Sequence, residues 1–508
     1  MPPLLSALIF LPLVAAIAIA AAPRGWAGAP RAIAATASGL VLAGAAAAYL
    51  RFNPQTAGPQ LVEWQAWIPT IPVDYHLGVD GLSLPLVVLT ALLTFLAILA
   101  SWGTTLRPRL YFALLLVLES GVLGVFTALD LALFFLFWEV ELIPMYLLIG
   151  IWGGPRREYA ATKFVIYTLL GSGMMLVGIL ALYFQLPSPR TFDFGALANA
   201  HWDPTFAGVV FWFLFFGFAV KLPVFPFHTW LPDAHVQAPT AVSVLLAGVL
   251  LKMGGYGLLR VNVGILPEAA ARFGWIIGVL AVINILYGAA VSLAQRDLKS
   301  LVAYSSISHM GYVLLGIAGG VVGVGASRLG EAAAESASVS LGGAAIQMFT
   351  HGMITALLFL LVGAVYERTH TRQIAELGGL ASRLPLTAAI FLLAGLASLG
   401  LPGLAGFVAE FAIFVGAFPA MPWLTVLGAA GIVLTAGYVL WMIQRVFFGS
   451  PVIEAADEGR VERFGALVDV RGLEIVPLAT LAALIVFIGV YPSVLTDVVN
   501  QGIAALSR

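Results

Sequence analysis

The chain is punctuated by apolar runs of about 20 residues, each long enough to cross the hydrocarbon core of a bilayer as a helix. Their spacing predicts fourteen spans: 3–22, 31–50, 81–102, 110–128, 131–152, 161–184, 206–228, 237–260, 273–294, 299–320, 341–366, 386–417, 423–448 and 473–495. A backbone inside lipid must satisfy its own N–H and C=O groups, so such runs become helices. Composition agrees: 10% of the 508 residues are charged and 61% are hydrophobic, against about 25% charged in soluble domains. The expected fold is all-α, one polytopic transmembrane domain over 1–508 with no soluble domain left over. The run from Leu4 to Ala22 has no basic flank before it and reads as a first span rather than a cleaved leader. The longest loops are 51–80, 185–205, 321–340, 367–385 and 449–472; the Gly, Ala and Ser of 321–340 predict a flexible connection.

Several chemistries are excluded. A formal net charge of −1 gives no basis for nucleic-acid binding, and zero cysteines remove disulfides, thiolate clusters and cysteine nucleophiles. There is no phosphate loop, no dinucleotide fingerprint and no helix-spaced His/Glu set, so no cofactor or metal site is expected in the chain.

Basic residues set the expected topology. Fifteen Lys and Arg fall in the odd-numbered connections, among them Arg24, Arg107, Arg156, Arg296, Lys299, Arg372, Arg460 and Arg463. Six (Arg51, Arg190, Arg260, Arg272, Arg328 and Arg508) lie on the other side. The bias places the odd connections in the cytoplasm and both termini on the outer face.

Charges inside the spans are the unusual feature. Span four carries Glu119, span five Glu139 and Glu141, span seven Lys221, span eight Lys252, span ten His309, span eleven His351 and span twelve Glu410. A lysine at bilayer mid-depth costs about 2.5–3.5 kcal/mol on insertion scales and normally faces an internal polar path. Spans seven and eight are also crowded by Pro223, Pro226, Pro232 and Pro239, and span twelve is interrupted at SLGLPGLAG. A broken helix at membrane depth is tolerated only where protein or water satisfies the freed backbone.

Burial disfavours a charged lysine or glutamate and an opposite charge nearby restores it, so a buried Lys–Glu pair can release a proton when its members part. Both mid-span cations of the broken region are lysines; arginine would not deprotonate. Histidine suits the relay positions between. Lys221 is expected to pair with Glu139, directly or through one water. Glu141 faces another side and is either a structural carboxylate or a participant. Each lysine can also be read as a packing ion pair, and His309 and His351 as satisfied core histidines. His228 and His235 flank a cytoplasmic loop and read either as proton-entry groups or as loop polar residues, the latter favoured for His228. Two inverted five-helix units, 110–260 and 273–448, would place the broken spans seven and twelve at related positions, matching Lys221 with Glu410 and Glu139 with His309.

The blocks FFLFWEVELIPMYLLIGIWGG, FAVKLPVFPFHTWLPDAHVQAPTAVSVLLAGVLLKMGGYGLLR, QRDLKSLVAYSSISHMGYVLLGI, QMFTHGMITALLFLLVGAVYERTHTR and LGLPGLAGFVAEF resemble the antiporter-like subunits of respiratory complex I. Within that family the chain is most similar to the M, or subunit-4, type. Sibling chains usually carry lysine where Glu410 stands, and the sequence ends thirteen residues after the last predicted span, without the long lateral helix of the L type.

The resemblance implies that Glu139 is the essential glutamate and Lys221 its partner. It further implies that Lys252 is the central lysine, His309 and His351 are connecting histidines, and Glu410 is the terminal carboxylate. It implies no redox group here; NADH or ferredoxin, flavin, iron–sulfur clusters and quinone belong to partner chains. The implied partners are sibling antiporter-like subunits and lipids, in a bacterial inner or thylakoid-type membrane. The function it implies is proton translocation within a redox-driven quinone oxidoreductase. The alternatives are a subunit of a multisubunit sodium/proton antiporter and a structural membrane spacer.

Overall fold

A computed structural model describes residues 3–23, 26, 28–68, 70–326, 331–448 and 467–506. Arg24, Arg328, Arg460, Arg463 and Arg508 of the topology tally, and most of the loop 449–472, lie outside the described residues. Helices dominate: α1 Leu4–Ala21, α2 Ala29–Arg51, α3 Leu84–Ala100, α4 Pro108–Thr127, α5 Leu131–Val140, α6 Leu142–Trp152, α7 Arg157–Gln185, α8 Phe194–Ala198, α9 Pro204–Lys221, α10 Trp230–Gln237, α11 Thr240–Leu245, α12 Leu251–Gly257, α13 Pro267–Leu293, α14 Leu298–Ala326, α15 Glu331–Thr369, α16 Pro385–Ser398, α17 Ala405–Ala417, α18 Pro422–Ile443, α19 Ile475–Val490 and α20 Ser493–Leu506.

Twelve helical segments among the described residues are long and apolar enough to cross a membrane, and three more (α3, α16 and α17) are shorter apolar helices. The expected span 81–102 is the 17-residue α3, and 386–417 is two pieces, α16 and α17. Thr240–Val263 is buried along its length and forms an inner pillar, whereas less than a third of Gly472–Val490 is buried.

Two loop expectations change. The stretch 51–80 contains an antiparallel hairpin, β1 Gln60–Ile68 and β2 Val73–Val79, with Trp64 opposite His76 and Gln65 opposite Tyr75. The Glu63 carboxylate on β1 accepts from the N–H groups of Leu5 and Ser6 at 2.7 and 3.0 Å. It thereby satisfies donors that the first turn of α1 cannot pair internally. The stretch 321–340 is mostly helical, the end of α14 and the start of α15, rather than a flexible connection. Small residues do another job here. A Cβ at Gly319 would lie 2.5 Å from the Ala417 side chain, and one at Gly323 would lie 2.9 Å from that of Ala337. Glycine at these positions lets the helices close together.

Both broken spans have local causes. Pro223 and Pro226 stop α9 at Lys221, and the freed Val220 carbonyl accepts from the Trp230 indole at 2.9 Å. Between α16 and α17, Gly400 and Gly403 have φ of +77° and +89°. A Cβ at Gly400 would also come within 2.5 Å of Glu410 Oε2, so this position needs glycine twice over.

Candidate functional site

Lys221 ends α9 and Glu141 sits at the kink between α5 and α6. The Lys221 ammonium pairs with Glu141 Oε1, with both side chains at most 2% exposed. It also lies 5.6 Å from the centroid of the Trp138 ring and 5.5 Å from that of Phe164. The expected partner Glu139 is not the one the fold provides. Residues two apart on a helix point roughly 200° apart, and α9 packs on the Glu141 side. Glu139 Oε1 and the second Glu141 oxygen are buried without hydrogen-bond partners. Glu119 is buried with both carboxylate oxygens unpartnered.

Lys252 lies on the inner pillar between two π-helical turns, Leu246–Leu250 and Leu258–Val263, and is fully buried. A π turn leaves a backbone carbonyl without its usual helical donor. The Ala247 carbonyl accepts from the Lys252 ammonium. On the other side, Lys252 Nζ lies 2.8 Å from His351 Nδ1 on α15. The His351 and His309 rings have centroids 5.4 Å apart. His309 Nδ1 on α14 is 3.4 Å from Glu410 Oε1 on α17, and His309 Nε2 is 3.1 Å from Ser398 Oγ at the end of α16. Four sequence-derived candidates, Lys252, His351, His309 and Glu410, thus form one buried row. Lys252–His351 and His309–Glu410 are direct contacts, whereas the two imidazole rings are 5.4 Å apart between centroids and His351 Nε2 has no hydrogen-bond partner.

The Lys221–Glu141 pair stands apart from that row. The two lysine-bearing helices nevertheless touch: a Cβ on Gly254 of α12 would lie 2.6 Å from the Leu222 N–H nitrogen just after α9.

His228 and His235 are not exposed loop residues. His235 is fully buried, stacked 4.6 Å from Phe359, with neither ring nitrogen partnered. His228 Nε2 lies 3.3 Å from the Tyr287 hydroxyl. Lys299, taken as one more loop cation, is a residue whose role the sequence hid. Its buried ammonium donates to the Ala238 carbonyl and lines a cavity of about 310 Å³ with Gln237, Tyr366 and Arg372. This cavity opens on the side of the odd-numbered connections.

A second cavity, about 360 Å³, opens at the opposite ends of the helices and is lined by His76, Asp193 and Arg260. Asp193 accepts from Ala196 at the start of α8 and meets His76 Nδ1 at 2.8 Å. Burial pushes its carboxyl up, but His76 and the backbone donors outweigh this and hold it below the usual carboxylate range. Asp130, the N-cap of α5, is pushed up to about 6 by burial. Among the described residues no cluster of three or more His, Asp or Glu could hold a metal ion.

A helical membrane scaffold with two broken spans and a buried Lys–His–His–Glu row defines an antiporter-like ion-translocating protein. The chain belongs to the NADH:quinone oxidoreductase/Mrp antiporter family, whose transmembrane model matches residues 128–435, and is of the chain-4 type. The amino-terminal model of NADH-ubiquinone oxidoreductase chain 4 matches residues 61–123. NAD(P)H-quinone oxidoreductase chain 4 of Gloeobacter violaceus is 43% identical over 519 residues, covering 100% of this chain and 93% of the relative. A chain-4 relative from Synechococcus elongatus is 46% identical over 462 residues, covering 90% and 82%. A chain of respiratory complex I from Thermus thermophilus superposes with a TM-score of 0.85 at 31% identity, covering 99% of this chain and 100% of that one. The Mrp complex from Dietzia shares the fold, with TM-score 0.85 and 24% identity, covering 100% and 98%.

Proposed function

We propose that the chain is the non-redox, proton-translocating membrane subunit of a quinone oxidoreductase driven by NADH, NADPH or ferredoxin. The observation that carries this reading is the buried row from Lys252 through His351 and His309 to Glu410. Each member can hold a proton, and each lies close enough to the next for transfer directly or through one water. Lys221 and Glu141 form the switch of the first unit: when the pair parts, the bare lysine gives up its proton more readily. Glu139, beside that switch, takes the proton in, and Glu410 passes it out of the second unit.

Further parts of the reading rest on the sequence. Residues 110–260 and 273–448 act as two inverted units. The membrane is a bacterial inner or thylakoid-type membrane with the termini outside. NADH or ferredoxin, flavin, iron–sulfur clusters and quinone are handled by partner chains. The partners are sibling membrane subunits, as the family's place in multisubunit complexes supports.

The second reading, a sodium/proton antiporter subunit, draws support from the family model, which spans both kinds of protein, and from the fold shared with the Mrp complex. Proton uptake driven by quinone reduction in proteoliposomes separates the two. The proposal requires pumping that persists without sodium and weakens in Lys252→Ala; pumping that requires a sodium gradient would overturn it.

A further inference from the structure

Asn284 lies in the middle of α13 and is fully buried. Its carboxamide is engaged at both ends. Oδ1 accepts from the Phe225 N–H at 2.7 Å, while Nδ2 donates to the Pro223 carbonyl at 3.2 Å and reaches the Ile307 carbonyl at 3.5 Å. Pro223 and Phe225 are the backbone of the break just beyond Lys221; Ile307 is on α14, two residues before His309. A break at membrane depth must have its freed backbone groups satisfied by protein. Asparagine is a compact side chain with an acceptor and two donors, which is what this one position demands.

The neighbouring contacts make the junction stiff. Ser308 Oγ on α14 donates to the Ile285 carbonyl on α13 at 2.9 Å. A Cβ at Gly288 would lie 2.6 Å from the Ser308 backbone nitrogen, and one at Gly311 would lie 2.8 Å from that of Ile285. One turn along the same face of α13, the Tyr287 hydroxyl meets His228 at the far end of the break. The break that carries Lys221 is therefore held by a helix locked to the one that carries His309.

We propose that Asn284 is a positioning residue that couples the two halves of the relay. It transmits movement of the Lys221 helix end, when the pair with Glu141 parts, to His309 through the break backbone and α14. The inference rests on the relay reading above. It supplies a link between the Lys221–Glu141 pair and the histidine row that the side chains of those residues do not make themselves.

The test is the proton-to-electron ratio and its pH profile in proteoliposomes containing the assembled complex. Four variants are compared: Asn284→Leu, Asn284→Asp, Lys221→Ala and Ser38→Ala. Ser38 on α2 is a buried hydroxyl that donates to the Ala34 carbonyl at 2.8 Å, outside both units, and controls for the loss of a buried hydrogen bond. Asn284→Leu is expected to lower the ratio at least twofold while Ser38→Ala keeps the parent ratio. Asn284→Asp still accepts from Phe225 but donates to Pro223 or Ile307 only when protonated, so its ratio should fall as pH rises. That pH dependence also serves if the leucine variant fails to assemble. A parent ratio and flat profile in Asn284→Leu and Asn284→Asp, with Lys221→Ala defective, would overturn the coupling alone. A parent ratio in Lys221→Ala would overturn the relay reading, and the coupling with it.

Discussion

Lys221 is paired with Glu141, across the kink that joins α5 to α6, while Glu139 two residues earlier leaves a carboxylate oxygen buried and unpartnered. The two carboxylates therefore have different surroundings, which predicts different effects of substitution. Truncating one member of a buried pair leaves an uncompensated charge and costs about 3–5 kcal/mol, whereas replacing both by apolar residues is often nearly neutral. Glu141→Ala should reduce the amount and melting temperature of assembled complex, and Glu141→Leu combined with Lys221→Met should recover much of the loss. Glu139→Gln should assemble like the parent and pump less. Native-gel quantitation, thermal melts and a pumping assay decide these outcomes; parent-level pumping in Glu139→Gln removes it from the relay.

His351 is the middle link of the row, against Lys252 on one side and His309 on the other. His351→Phe keeps the bulk and removes both nitrogens. Losing one positioned acid–base group slows proton transfer by roughly 100-fold at the low end. Pumping should fall far more than assembly does, and equal falls in both would mark His351 as structural.

Gly400→Ala tests the seat of Glu410. The position has φ +77°, and a Cβ there would meet Glu410 Oε2 at 2.5 Å. The substitution should cost at least about 1 kcal/mol and push the carboxylate away from His309. Pumping should drop toward that of Glu410→Ala, with Glu410→Lys retaining more because sibling subunits use lysine there. Unchanged pumping in both Gly400→Ala and Glu410→Ala would place the exit elsewhere.

On the opposite face, the Asp193–His76 pair fastens β2 to the start of α8. Its folded carboxyl is held below the ordinary value, so the stability it gives is present above the unfolded value and lost as pH falls through the folded one. Acidification should therefore loosen the hairpin, and Asp193→Ala should loosen it at neutral pH. Hydrogen exchange at β2 measures both; equal protection in parent and variant would rule out the clasp.

How far the sequence discloses this site depends on what surrounds each charge. Lys252, His309, His351 and Glu410 stand alone in apolar runs, so their burial could be read from the spans, whereas which of them meet is decided by how the helices pack. The Glu139/Glu141 choice could not, because i and i+2 positions face opposite ways and the rotation of a kinked helix is set by packing. Lys299 looks like a topogenic cation because it follows Arg296 and Asp297 at a helix start; only the fold turns it inward to Ala238. The hairpin does carry a sequence signal, the apolar/polar alternation of Val62-Glu63-Trp64-Gln65-Ala66 and of Val73-Asp74-Tyr75-His76-Leu77, but it lies in a connection between two spans and leaves Val62, Trp64 and Trp67 exposed. Asn284 carries no sequence signal, since a lone amide in a span reads as helix glue.

Proton passage through the buried row is read out by the proton-to-electron ratio of the assembled complex carrying Lys252→Met. Methionine fills the lysine's space without a titratable group, so assembly and quinone reduction report on the scaffold while the ratio reports on this chain's path. Passage through the row predicts a Lys252→Met complex that assembles and still reduces quinone but moves fewer protons per electron than the parent. A Lys252→Met complex that assembles, reduces quinone and pumps at the parent ratio would contradict it.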